Sequence, residues 1–139
     1  MKNRFEIEFS ALSQNEAFAR LCISAFLLPL DPTVNEMSDI KTAVSEAVTN
    51  SIIHGYEGIG GTVHMSAETD ENIVYIEIRD KGRGIEDIEA ARKPLFTTKP
   101  DCERSGMGFT IMEAFMDKIT VVSEKDKGTK VTMTKKLRG

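Results

Sequence analysis

Three short segments of the sequence carry residue types that could bind a phosphorylated ligand and a metal ion. The first contains Glu46 and Asn50, four residues apart in a stretch of helical periodicity, so both side chains would project from one side of a helix. A single carboxamide oxygen suits Mg²⁺, which keeps waters and phosphate oxygens as its other ligands. A carboxylate one turn away could polarise an attacking hydroxyl. We expect Asn50 to hold Mg²⁺ and Glu46 to act as a general base; taken alone, the pair also fits a solvated helix face.

The second segment is Asp80-Lys81-Gly82-Arg83-Gly84, which follows a β-rich apolar run. Gly82 and Gly84 would let the backbone approach a flat ligand closely. Asp80 could accept a hydrogen bond from an exocyclic amine, which adenine has. The alternative for Asp80 is an ordinary aspartate in the turn that ends a strand.

The third segment is Ser105-Gly106-Met107-Gly108 at the start of a predicted helix. Amides around Gly106 and Gly108, backed by Ser105, could hold phosphate oxygens at the helix N-terminus. Loop flexibility is the alternative. Thr129, in the last predicted hairpin, either reaches the same pocket or is an ordinary strand residue. The order and spacing of the three segments predict a nucleotide pocket, and neither a Walker-type loop nor the protein-kinase motif set is present.

Composition limits the function classes that remain. The chain has 139 residues and a net charge of −4, which fits one domain spanning residues 1–139 and does not favour a nucleic-acid partner. No stretch approaches the roughly 18 apolar residues of a membrane span, so we expect a cytoplasmic protein without membrane association. Cys22 and Cys102 lack a metal-type spacing and are expected to be reduced.

Periodicity predicts the elements that must position these residues. Two capping boxes, Ser13 with Glu16 and Thr33 with Glu36, indicate where two helices begin. The remaining predicted elements are a strand at 5–9, hairpins pairing 63–67 with 73–79 and 119–123 with 130–134, a short helical stretch at 86–91, and a helix at 106–116. We expect an α/β (α+β) two-layer sandwich, with a mixed, mostly antiparallel sheet and helices on one face.

The first predicted helix is apolar on two sides. Ala17, Phe18, Leu21, Cys22 and Ala25 recur at helical spacing, and a second apolar set contains Ile23, Phe26 and Leu27. The helix is therefore either buried on both sides or in contact with a partner. We expect the second set, or the edge strand beside it, to meet another copy of the chain in a homodimer.

The three motif segments resemble the N box and the two glycine boxes of the superfamily that includes DNA gyrase, the heat-shock protein of 90 kDa, histidine kinases and MutL. The resemblance implies a Bergerat-type ATP-binding fold with ATP and Mg²⁺ bound and ADP as product. Residues 45–56 and the short lid at 94–98 look most like bacterial anti-sigma factors that are also serine kinases.

That resemblance implies a sigma factor and an anti-anti-sigma protein as partners, the second being phosphorylated on a serine, and a homodimer. It also suggests a partner surface near Arg20. The remaining alternatives are a nucleotide-sensing module without phosphotransfer and a histidine-kinase-like ATPase domain.

Overall fold

The computed structural model describes residues 2–55, 61–82, 108–124 and 128–138. In chain order the elements are β1 (Lys2–Ser10), α1 (Asn15–Leu27), a 3₁₀ turn (Leu28–Leu30), α2 (Val34–Asn50), a π-helical turn (Ser51–Gly55), β2 (Thr62–Asp70), β3 (Ile73–Asp80), α3 (Gly108–Phe115), β4 (Lys118–Glu124) and β5 (Gly128–Lys136).

The strands form one sheet in the order β1-β2-β3-β5-β4. All four pairs of neighbouring strands are antiparallel. Both predicted hairpins are confirmed, as β2 with β3 and as β4 with β5. The predicted two-layer sandwich is confirmed as well. The short helical stretch predicted at 86–91 lies outside the described residues.

One hydrophobic core lies between the helices and the sheet. Helix α2 is central to the helical layer, since it packs against both α1 and α3. Its apolar face presents Ile40, Val44 and Val48, all fully buried. Side chains alternate between the two sides of a β-strand, so every second residue of the sheet meets this face. The sheet residues with an exposure of 2% or less are Val63, Met65, Ala67, Val74, Ile76, Ile78 and Met133.

Only one of the two predicted capping boxes forms. Thr33 Oγ1 accepts from the Glu36 N–H at 3.1 Å, and Glu36 Oε1 accepts from the Thr33 N–H at 2.8 Å. The box predicted for Ser13 is wrong, because α1 begins after Gln14 without a side-chain cap. The carboxylate of Glu16 instead contacts Arg20 on the next turn of α1 and Ser45 on α2.

The predicted outward face of α1 is also wrong. Ile23 and Leu27 are fully buried, and the ring of Phe26 packs 4.8 Å from that of Phe5 on β1. The apolar residues left at the surface belong to the opposite set, with Phe18 46% and Leu21 69% exposed. Because both sides of α1 are apolar, periodicity alone could not decide which one faces the sheet.

Across the described ranges, no helix combines the length and apolar character needed to span a membrane.

Candidate functional site

Five residues form a row across one end of the sheet. The strand register aligns Phe9 with Val63, Val63 with Asp80, Asp80 with Thr129, and Thr129 with Ser123. Residues directly opposite one another in an antiparallel sheet project from the same side, so all five face the helical layer. The row is apolar on β1 and β2 and polar on β3, β5 and β4. Its polar half contains Asp80 and Thr129, two of the residues predicted to bind a nucleotide.

Asp80 is a buried carboxylate held by donors. The residue is 8% exposed, and Oδ1 accepts from the Gly82 N–H at 2.9 Å. It also accepts from the Ser51 hydroxyl and the Thr129 N–H. Burial raises the pKa of Asp80 above its ordinary value of 3.8, and these three donors only partly oppose that effect. The carboxylate is thus fixed in direction and ready to accept a further hydrogen bond.

The start of β5 packs against the main chain of Asp80. Gly128 has φ +113°, and a Cβ placed on it would lie 2.1 Å from the Asp80 carbonyl oxygen. Only glycine satisfies both the conformation and the close approach. Next to this contact, the hydroxyls of Thr129 and Ser123 lie 2.8 Å apart, and Ser123 Oγ donates to the Gly128 carbonyl at 3.1 Å.

The C-terminal end of α2 reaches this row through a π-helical turn. The Ser51 N–H is shared between the carbonyls of Ala47 and Val48. The wider turn that follows carries the Ser51 hydroxyl to Asp80, and π-helical turns are frequent at functional sites. Helical periodicity places Ser51 on the apolar face of α2, so sequence reasoning misses this contact. The signal that could have identified it is a hydroxyl directly after Asn50.

Glu46 and Asn50 lie one turn apart near the end of α2, and Asn50 is half-buried. Glu46 is only 9% exposed, so the alternative of a solvated helix face does not hold for this residue. It lines the wall of a groove instead. A buried carboxylate in a groove wall is shielded from bulk water, unlike one on a solvated helix face.

The groove next to Glu46 runs between α1, the 3₁₀ turn and α2 and has a volume of about 670 Å³. Arg20 lines the same groove, so the structure brings these two predicted residues together. Arg20 Nε lies 2.8 Å from Glu16 Oε1 as an ion pair, without the alignment of a hydrogen bond. The Ser45 hydroxyl donates to the same carboxylate oxygen of Glu16. Glu16 thereby connects α1 to the turn of α2 that carries the expected base.

The glycine segments are partly described. Gly82 lies at the Asp80 turn, and Gly108 is the first residue of α3, for which the sequence predicts a start at 106. Gly84, Ser105 and Gly106 lie outside the described residues, as does the predicted lid.

The oxygen donors on α2 fit a Mg²⁺ ion better than a metal held entirely by protein. Among the residues that the structure describes, no group of three or more His, Cys, Asp or Glu side chains could hold a metal. Mg²⁺ takes one or two protein oxygens and completes its shell with waters and phosphates. The carboxamide oxygen of Asn50 is one such protein ligand, and Glu46, one turn earlier on α2, is the expected base.

A family model for a histidine kinase-like ATPase domain matches residues 9–135. This match and the fold show that the chain belongs to the histidine kinase-like ATPase domain family. The chain is 59% identical over 138 residues to the anti-sigma F factor of Bacillus licheniformis, with 99% of this chain and 94% of that relative covered. It is 57% identical over 138 residues to the anti-sigma F factor of Bacillus subtilis, with the same coverage of 99% and 94%. Within the ATPase family, the chain belongs with the anti-sigma F factors.

Two solved structures share the fold. The RsbU and RsbW domains from Mycobacterium tuberculosis superpose with a TM-score of 0.72 at 20% identity, covering 99% of this chain and 33% of that one. The catalytic domain of histidine kinase ThkA superposes with a TM-score of 0.57 at 18% identity, covering 96% of each chain. Both confirm the predicted ATPase-type architecture.

Proposed function

We propose that the protein is an anti-sigma factor of sporulation that also acts as an ATP-dependent serine kinase on an anti-anti-sigma protein. The names of its relatives support the sigma factor as a partner. The family supports ATP as the nucleotide. The observation that supports the kinase proposal is the placement of Glu46, which is buried in the wall of the groove between α1 and α2, while Asn50, one turn later, precedes Ser51 and its contact with Asp80.

In this proposal the polar end of the sheet row binds the adenine. Asp80 accepts a hydrogen bond from the exocyclic amine, with Thr129 beside it and the backbone at Gly82 and Gly84 against the ring. Amides near Gly106 and Gly108, together with Ser105, bind phosphate oxygens at the start of α3. Asn50 provides the protein ligand to Mg²⁺, which when bound would neutralise negative charge on the phosphates.

Glu46 is the general base for phosphotransfer. It takes the proton of the acceptor serine as the serine oxygen bonds to the γ-phosphorus and the bond to the β–γ bridging oxygen breaks. The products are a phosphoserine and ADP. The low exposure of Glu46 favours this role, since a shielded base encounters the serine hydroxyl in preference to bulk water.

The groove between α1 and α2 is the proposed route by which the acceptor reaches Glu46. Its lining carries charges of both signs, from Arg20 and Lys41 and from Asp31 and Glu46, and Arg20 is paired with Glu16. We also propose a homodimer that uses the exposed face of α1 around Leu21 and the edge strand β1. Both features fit association between copies, since exposed apolar side chains and a strand at the edge of the described sheet favour pairing.

The proposal is tested by incubating the protein with Mg²⁺, γ-labelled ATP and candidate partners captured from a sporulating extract. We expect an acid-stable phosphate on a captured protein, as phosphoserine requires. Capture should depend on whether ATP or ADP is present, because the two nucleotides differ in their contacts. ATP binding without transfer would favour the nucleotide-sensing module, and an acid-labile phosphate would indicate histidine phosphorylation.

A further inference from the structure

The hydroxyl of Ser123 has a defined hydrogen-bond direction. It lies 3.1 Å from the Gly128 carbonyl oxygen, which can only accept, so the single Ser123 proton points to that carbonyl. The same hydroxyl lies 2.8 Å from Thr129 Oγ1. Because the Ser123 proton is already used, the Thr129 hydroxyl is the donor in that contact.

The direction of the Thr129 proton determines what this residue offers a ligand. With its proton directed to Ser123 on β4, Thr129 Oγ1 keeps its lone pairs as acceptors. Asp80, its register partner on β3, is an acceptor as well. Two neighbouring acceptors on one side of the sheet match an amino group, which has two hydrogens to donate. They do not match a carbonyl oxygen at the same place, because it would face two groups that cannot donate to it.

We propose that Ser123 is a positioning residue of the nucleotide site. By orienting the Thr129 hydroxyl as an acceptor, it favours a purine with an exocyclic amine over one with a carbonyl in its place. This inference rests on the proposed ATP-binding function and adds a determinant of base selectivity on a third strand. Without the Ser123 hydroxyl, the Thr129 proton would be free to turn toward the ligand and donate to a carbonyl.

The test compares the dissociation constants of Mg-ATP and Mg-ITP, since inosine has a carbonyl where adenosine has its amine. The proteins are the wild type, Ser123→Ala, Ser123→Thr and the control Thr120→Ala, which removes an exposed hydroxyl from the outward side of the same strand. We expect Ser123→Ala to lower the preference for ATP over ITP by about fivefold, in the range of one neutral hydrogen bond. Ser123→Thr and Thr120→Ala should keep the wild-type preference.

If Ser123 had a purely structural role, Ser123→Ala would weaken the binding of both nucleotides equally. An unchanged ratio of the ATP and ITP dissociation constants in Ser123→Ala would therefore overturn the proposal. If Ser123→Ala does not fold, Thr129→Val removes the same acceptor from the other partner. Thr129→Val should also lower the preference for ATP over ITP, and an unchanged preference in this variant would overturn the proposal. A wild type that binds neither nucleotide would instead contradict the proposed function itself.

Discussion

The hydroxyl of Ser51 donates to the carboxylate of Asp80 and so joins the end of α2 to the end of β3. Ser51→Ala removes one of the three donors that hold this buried acceptor. We expect the dissociation constant of Mg-ATP to rise about tenfold, because hydrogen bonds to charged groups contribute about 1.5–3 kcal/mol. Isothermal titration calorimetry measures this dissociation constant. Ser66→Ala, on the outward side of β2, is the matched control and should bind like the wild type. Equal affinities for both variants would contradict a role for Ser51.

The burial of Asp80 predicts how stability depends on pH. An acid whose pKa rises on folding binds more protons in the native than in the unfolded state, so its contribution to the free energy of unfolding falls as pH rises. We expect the wild type to lose stability relative to Asp80→Asn as pH increases from 3.8 to the raised pKa of the folded state, with no further change above it. Urea unfolding at a series of pH values measures the difference. A difference that did not vary with pH would show that Asp80 titrates normally.

Substitutions of Glu46 and Asn50 should separate catalysis from binding. Glu46→Ala should leave ATP affinity nearly intact and lower phosphotransfer by about 10²–10⁴, the usual range for loss of a general base. Asn50→Ala removes the proposed metal ligand, so it should weaken Mg-dependent ATP binding itself. Single-turnover transfer and equilibrium binding measure the two effects. If both variants transferred phosphate like the wild type, the assignment of α2 to the chemistry would be wrong.

Glu36 is expected to matter for stability and not for nucleotide binding. One carboxylate oxygen accepts from the Thr33 N–H in the capping box, and the other accepts from the Arg138 N–H at 2.7 Å. Glu36→Ala removes both contacts, so we expect a loss of about 1–3 kcal/mol in the free energy of unfolding, from one cap and one further hydrogen bond. Denaturant unfolding measures this loss. Asp31→Asn is the control: it removes a carboxylate just before the same helix, and asparagine tolerates the φ of 50° at this position, so it should cost much less.

The homodimer is best tested by a substitution on the exposed side of α1. Phe26→Glu would place a charge against Phe5, and both rings are partly buried against the core, so this substitution would report on folding and not on assembly. Leu21→Glu charges a residue that is 69% exposed on the outward face of α1. We expect it to convert a dimer to monomers that still bind ATP, as measured by sedimentation. Val122→Glu is the matched control, since Val122 is 56% exposed on the strand at the opposite edge. A wild type that sediments as a monomer would contradict the dimer.

The elements governed by local patterns could be predicted from the sequence. Alternation along β2 places Val63, Met65 and Ala67 on the buried side, where the structure has them. The capping box at Thr33 is confirmed because both of its partners lie within one turn. Residues whose structural roles depend only on neighbours in sequence therefore followed the predictions.

The contacts that depend on tertiary structure could not be predicted in this way. The Ser13 box failed because the carboxylate of Glu16 is taken by Arg20 and by Ser45, which lies 29 residues away on another helix. Ser123 joins the candidate site only through the register of β4 with β5. Nothing near Ser123 in the sequence indicates a ligand, since a serine in a β-strand has no local signature.

Helix α2 has a consequence for how its own two ends could communicate. Its 17 residues form a rod about 25 Å long, at 1.5 Å per residue. Met37 near one end lines the groove proposed for the acceptor, while Ser51 just beyond the other end contacts Asp80. A helix packed on both sides does not bend easily. We therefore expect a displacement at the adenine site to reach the Met37 end of the groove as a tilt or shift of the whole helix, without a chain of side-chain rearrangements.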